Sequence, residues 1–117
     1  MEARERTLGA EHPDTLVSVK DLAGCFRATG LLKDAEPLYR RALEVRERTL
    51  GAEHPHTLDS VSDLAGCLQA MGMRTDAELL YRRALEASER TLGAEHPHTL
   101  VFAQNLARCS RASCIIL

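Results

Sequence analysis

The ten residues Arg4-Glu5-Arg6-Thr7-Leu8-Gly9-Ala10-Glu11-His12-Pro13 recur without change from Arg46 to Pro55, forty-two positions on, and a third version opens at Ser88. Between residues 4–45 and 46–87 about three positions in four are identical. Shared helical composition does not produce that degree of agreement, so the chain is built by duplication. One such unit cannot bury its own apolar side; it must lay that side against the next unit. With 117 residues the chain has room for a short stack whose core runs along an axis.

Each unit carries two apolar stripes with helical spacing. In the first, Leu16, Val19, Leu22, Ala23 and Phe26 follow one another at steps of three and four or close to it, and Leu58, Val61, Leu64, Ala65 and Leu68 repeat them. The second stripe runs Ala35, Leu38, Tyr39, Ala42, Leu43, and again Ala77, Leu80, Tyr81, Ala84, Leu85. These predict a helix A and a helix B in each unit. Pro13, Pro55 and Pro97 suit the first position of each helix A, where a missing N–H costs nothing. Gly30 and Gly72 suit the left-handed turn that ends it, and Gly9, Gly51 and Gly93 do the same for helix B. Pro37 predicts a helix B starting no earlier than about Lys33, and Thr75 with Glu78 predicts a capping box.

Composition narrows the function. Aromatic residues make up 3% of the chain and Trp is absent, too few for a stacking nucleic-acid surface. Fifteen Lys and Arg against 17 Asp and Glu leave a formal charge of -2, so no basic excess points to nucleic acid. Residues 1–7 lack the apolar core of a signal peptide, no apolar run approaches a membrane span, and the expected compartment is the cytoplasm.

The run Leu22-Ala23-x-x-Phe26-x-x-x-Gly30-x-x-x-x-Ala35-x-x-x-Tyr39-x-x-Ala42 resembles the tetratricopeptide repeat. The 42-residue period, the Glu-His-Pro-x-Thr-Leu entry into helix A and the Ala-Glu-x-Leu-Tyr-x-Arg-Ala-Leu of helix B resemble the repeats of kinesin light chains. HEAT and armadillo repeats have comparable periods but give no reason for this Gly and Ala spacing. The resemblance implies an all-α fold, an α-solenoid of antiparallel helix pairs, with about five helices after an N-terminal helical stub. The expected organisation is one array over 1–117: the end of a helix B at 1–9, repeat one at 10–51, repeat two at 52–93, helix A of an incomplete third repeat at 94–112, and a tail at 113–117. In the third helix A, Arg108 replaces Gly24 and Gly66, Ser110 replaces Phe26 and Leu68, and Cys114 stands where Gly30 and Gly72 would fall.

In solenoids of this family helix A lines the concave face. At 100° per residue, the side opposite the apolar stripe presents Val17, Lys20, Asp21, Gly24 and Arg27 in the first copy. The second copy presents Asp59, Ser62, Asp63, Gly66 and Gln69, and the third Gln104, Asn105, Arg108 and Arg111. Val17/Asp59, Lys20/Ser62 and Arg27/Gln69 are among the differences between copies one and two, while the packing face hardly changes. The expected function is therefore a non-catalytic scaffold that holds a peptide or helix of a partner protein in this groove, with no cofactor and no nucleic acid. Tetratricopeptide domains that clamp a terminal carboxylate use Lys and Asn, then Asn, then Lys and Arg. Only Lys20 matches; Gly24, Asp63, Val101 and Asn105 hold the other places, so that role is not expected.

Cys25, Cys67 and Cys109 repeat with the period, too far apart for disulfides, and are expected to be small buried hydrophobes. The histidines around Pro13, Pro55 and Pro97 are expected in turns and caps, because no set of four ligands has zinc spacing. Catalytic and nucleotide-binding motifs are absent. Cys114-Ile115-Ile116-Leu117 has the form of a prenylation site, which offers an alternative, a membrane-tethered adaptor; a degenerate piece of a longer repeat protein is another.

Overall fold

The computed structural model describes the backbone of residues 13–116 and the side chains of residues 18–110. Five helices and no strands occupy the described residues: α1 Pro13–Ala28, α2 Leu32–Leu50, α3 Pro55–Ala70, α4 Arg74–Thr91 and α5 Pro97–Ile116. Each packs mainly against its neighbours in sequence, α1 on α2, α2 on α3, α3 on α4 and α4 on α5. The predicted stub at 1–9 lies outside the described residues.

The caps explain why the helices start and stop where they do. At the start of α3, His54 Nδ1 accepts a hydrogen bond from the His56 backbone N–H at 3.1 Å, and His96 does the same for His98 at α5. With a proline at the first helical position, this is the histidine cap the sequence suggested. Gly30, at φ 86°, ends α1 in a Schellman turn: Leu31 N–H donates to Phe26 O at 2.7 Å and Gly30 N–H to Arg27 O at 3.1 Å. Gly72 repeats the turn after α3 with the same φ. The predicted Thr75–Glu78 box does not form, because α4 begins at Arg74 with Met73 as its cap and Thr75 already lies inside it. Likewise α2 begins at Leu32 and keeps Pro37 within its run. The largest departure is at the C-terminal end. The helix α5 runs to Ile116, past residue 112 where a tail was expected, since Cys114 has none of glycine's ease in the left-handed turn.

A single contiguous core threads the stack. Ala23, Ala35, Ala65 and Ala77 are fully buried, and Tyr39, Tyr81, Leu58, Val61, Leu64, Leu68, Phe102 and Cys109 belong to the same cluster. Small residues let neighbouring helices approach, and the larger ones fill what remains. Stacking by translation shows in contacts that recur at a fixed offset. Cys67 Sγ lies 3.8 Å from Leu32 O, and Cys109 Sγ lies 3.7 Å from Arg74 O, each 35 residues back. Polar joints cross the turn from helix B into the next helix A. Arg46 donates to His56 O at 3.0 Å and to Ser60 Oγ at 2.9 Å, and in the following unit Ser88 Oγ and Thr99 Oγ1 are 2.5 Å apart. On the helix B side, Arg83 pairs with Glu47 and Arg90 with Glu53, one unit to the next.

Leu58 and Leu100 are the same position one period apart. The first is fully buried, whereas the second is 51% exposed: among the described residues α3 lies packed between α2 and α4, while α5 packs mainly on α4. Leu58→Ala should therefore cost about 2–5 kcal/mol and Leu100→Ala about 0.5 kcal/mol or less. Urea unfolding followed by circular dichroism measures both, and equal losses would contradict the stacked arrangement.

Candidate functional site

The three A helices bring their polar sides together over a cleft of about 280 Å³. Arg27 of α1, Ser62, Asp63, Gly66 and Gln69 of α3, Tyr81 of α4, and Asn105 and Arg108 of α5 line it. Seven of these eight are among the residues the helical wheel placed in the groove. The expected Asp21 and Gln104 are exposed but outside the lining, Asp59 is half-buried outside it, and Gly24 lies near the Tyr39 hydroxyl. The side chains of Val17, Arg111 and Cys114 lie outside the described residues.

Two of the expected groove residues hold each other. Lys20 Nζ is 2.9 Å from Asp63 Oδ2, across the seam between α1 and α3. That oxygen is shut off from solvent and accepts no aligned hydrogen bond, so Lys20 is its compensation. With both side chains about a third exposed, the pair is worth no more than about 1 kcal/mol. One period later the equivalent positions hold Ser62 and Asn105, and Asn105 Nδ2 donates to Ser62 Oγ at 3.3 Å. An ion pair at the first seam becomes a neutral hydrogen bond at the second.

The guanidinium of Arg27 lies over Gly66. A Cβ at position 66 would stand 2.8 Å from Arg27 Nη2 and 3.0 Å from Nη1, closer than side chains tolerate. Gly66 thus gives Arg27 its seat. Burial raises the Tyr39 phenol pKa, a hydrogen bond from Arg27 partly opposing it. Arg108 stands at the glycine position of the third copy and donates to Asn105 Oδ1.

Tyr81 is the lining residue the sequence reading did not place in the groove. It was read as a packing residue of helix B, and the residue is indeed only 6% exposed, yet its hydroxyl donates to Gln69 Oε1 at 3.5 Å. The signal was available in principle, since a buried tyrosine carries a polar tip that needs a partner. Its pKa is raised by burial first; Arg27 and Arg108 pull it down, and Cys109 and Asp63 push it up.

The cysteines divide. Cys67 and Cys109 are buried as expected, and burial pushes both thiols up. Cys25 is exposed, which corrects the expectation of burial. The carbonyl of Leu32 covers Cys67 and that of Arg74 covers Cys109. Among the described residues no group of three or more His, Cys, Asp or Glu is placed to hold a metal ion, and no helix is long and apolar enough to cross a membrane.

The tetratricopeptide-repeat family profile matches residues 1–48, 19–90 and 58–113, so the chain belongs to that family. Two crystal structures of the nearly identical repeats of a putative kinesin light chain from Podosopora anserina superpose on it. A single-substitution variant gives a TM-score of 0.83 at 33% identity, and the other structure 0.81 at 34%; both cover 94% of this chain and 52% of their own. The chain thus spans about half the length of those solved structures. BtubC from P. vanneervenii shares the fold, with a TM-score of 0.75 at 20% identity, over 85% of this chain and 39% of that one. No curated protein matches. Repeats of this kind generally mediate protein–protein interaction and are typically non-catalytic.

Two outcomes follow. Gly66→Ala should leave stability unchanged or raise it by up to about 1 kcal/mol through helix propensity, while forcing Arg27 off its seat; a shifted Arg27 Nε–H resonance in a variant with an unchanged or higher Tm tests it. In the native chain, iodoacetamide should alkylate Cys25 readily, while Cys67 and Cys109 react only on unfolding, because both are covered and a raised pKa leaves little thiolate at pH 7.5. Peptide-resolved mass spectrometry reads that order.

Proposed function

We propose that the chain is a non-catalytic scaffold that binds a peptide or helix of a partner protein in the groove formed by the first helix of each repeat. One observation carries this reading: α1, α3 and α5 all contribute side chains to the same open polar cleft, although no two of these helices are consecutive. A bound segment lying across the A helices would touch every repeat at once, gaining contact area without any rearrangement of the stack. Gly66 lowers one wall of that path, and Arg27 and Arg108 present planar forks to acceptors on the segment. Likeness to a putative kinesin light chain supports the scaffold reading; transport of cargo is not part of it.

Lys20 is a poor residue with which to test the groove, because its reversal would abandon Asp63 Oδ2 inside the seam. Arg27 and Arg108 are both exposed and can be changed without that cost. Peptides selected from a displayed library against the full chain should bind the Arg27→Glu, Arg108→Glu double variant at least tenfold more weakly. The exposed Arg82→Glu change on α4 should leave them unaffected. Equal affinity for the double variant and the parent chain would remove the groove from consideration.

A further inference from the structure

The cleft has two arginines on it that come from opposite directions. Arg27 reaches forward from α1 to lie over Gly66, and Arg108 stands on α5 at the position corresponding to Gly66 one period on. Both line the cleft beside α3, and the Tyr81 hydroxyl, on the same lining, feels the positive charge of each. Ser62, Gln69, Asn105 and Tyr81 add neutral hydrogen-bonding groups around the same space. The single carboxylate on the lining, Asp63, is already paired with Lys20. Counting that pair, three cations meet one anion, a surplus of two positive charges.

The geometry points to a subsite for a phosphorylated side chain of the bound peptide, held between Arg27 and Arg108. This rests on the groove reading above and names the chemistry of its ligand. A carboxylate is planar and fills one guanidinium fork with its two oxygens, leaving the second arginine unmatched. A phosphoryl group presents three terminal oxygens in three directions and carries close to two negative charges at pH 7. It can take one fork on each side and still accept from a hydroxyl or amide. The cleft, of about 280 Å³, has room for a phosphoryl group with its side chain. Asp63 is the opposing feature: its negative charge repels an anionic ligand, and Lys20 offsets that charge.

The probe is N-acetyl-phosphoserine methylamide, titrated into the full chain at constant ionic strength with the arginine Nε–H resonances observed. N-acetyl-glutamate methylamide serves as the carboxylate comparison. Saturable shifts of Arg27 and Arg108 are expected, with at least tenfold weaker binding of the glutamate analogue. Phosphoserine affinity should fall about fourfold from pH 7.5 to 5.5, as the phosphate, with a second pKa of about 6, takes up a proton. Arg27→Gln and Arg108→Gln, each checked for an unchanged helical spectrum, should each weaken it tenfold or more. Equal affinity for the two probes, or saturable phosphoserine binding that survives both substitutions, overturns the subsite. Library peptides that need Arg27 and Arg108 but show no gain on phosphorylation would sink this inference while leaving the scaffold reading standing.

Discussion

Four fully buried alanines, Ala23, Ala35, Ala65 and Ala77, govern how near the helices of this stack can come to one another. A larger side chain at any of them would wedge two helices apart, and with them everything beyond. Because interhelical distance follows the side chains at the contact, repeating the same small residues at the same period repeats the same step from unit to unit. The offsets that recur in the side-chain contacts are its signature. Each thiol of Cys67 and Cys109 meets a carbonyl 35 residues back, and the seam pairs Lys20–Asp63 and Ser62–Asn105 are both 43 residues apart. The groove is a by-product of that step: every A helix arrives in the same orientation, so their outer faces form one surface.

This is why the fold was so legible. A period of 42, two apolar stripes per period, and proline and glycine at the joints leave few other ways to arrange the chain. What the helical wheel could not supply was reach. It assigns a residue to a side of its own helix, and on that basis it placed Arg27, Ser62, Asp63, Gly66, Gln69, Asn105 and Arg108 on the cleft side. It says nothing of what a long side chain touches in the next helix, so Lys20 looked open when it is tied to Asp63. Tyr81 was missed for the complementary reason. It belongs to the core cluster, and its hydroxyl reaches Gln69 on the cleft. The run of α5 to Ile116 is a departure of a different kind, since periodicity assumes that each unit has the terminating glycine of the others; the exposure of Cys25 departs from the period as well.

Differences between the copies take on another meaning once the seams are known. Lys20 becomes Ser62 where Asp63 becomes Asn105, so an ionic contact is exchanged for a neutral one as a matched pair. Had only one partner changed, either a lysine would face an amide or a carboxylate oxygen would lie buried without a cation. Arg27 becomes Gln69 where Gly66 becomes Arg108, a second coupled exchange in which the bulky cation moves from one side of the contact to the other. Free drift of exposed positions has no reason to keep such partners in step, whereas contact across a seam does.

That second exchange also gives the cleft its charge among the described residues. Repeating Arg27 over Gly66 unchanged would give one guanidinium per seam, evenly spaced along the groove. Repeating the Gln69 and Arg108 arrangement would give the same spacing, displaced by one helix. Placing the first arrangement beside the second puts both cations around α3. Two cations on one cleft repel unless something between them carries the opposite sign, and Asp63 is occupied by Lys20. A scaffold assembled from copies has thereby acquired a place in its groove where the copies are not equivalent, and it is there that selectivity for a ligand's charge can arise.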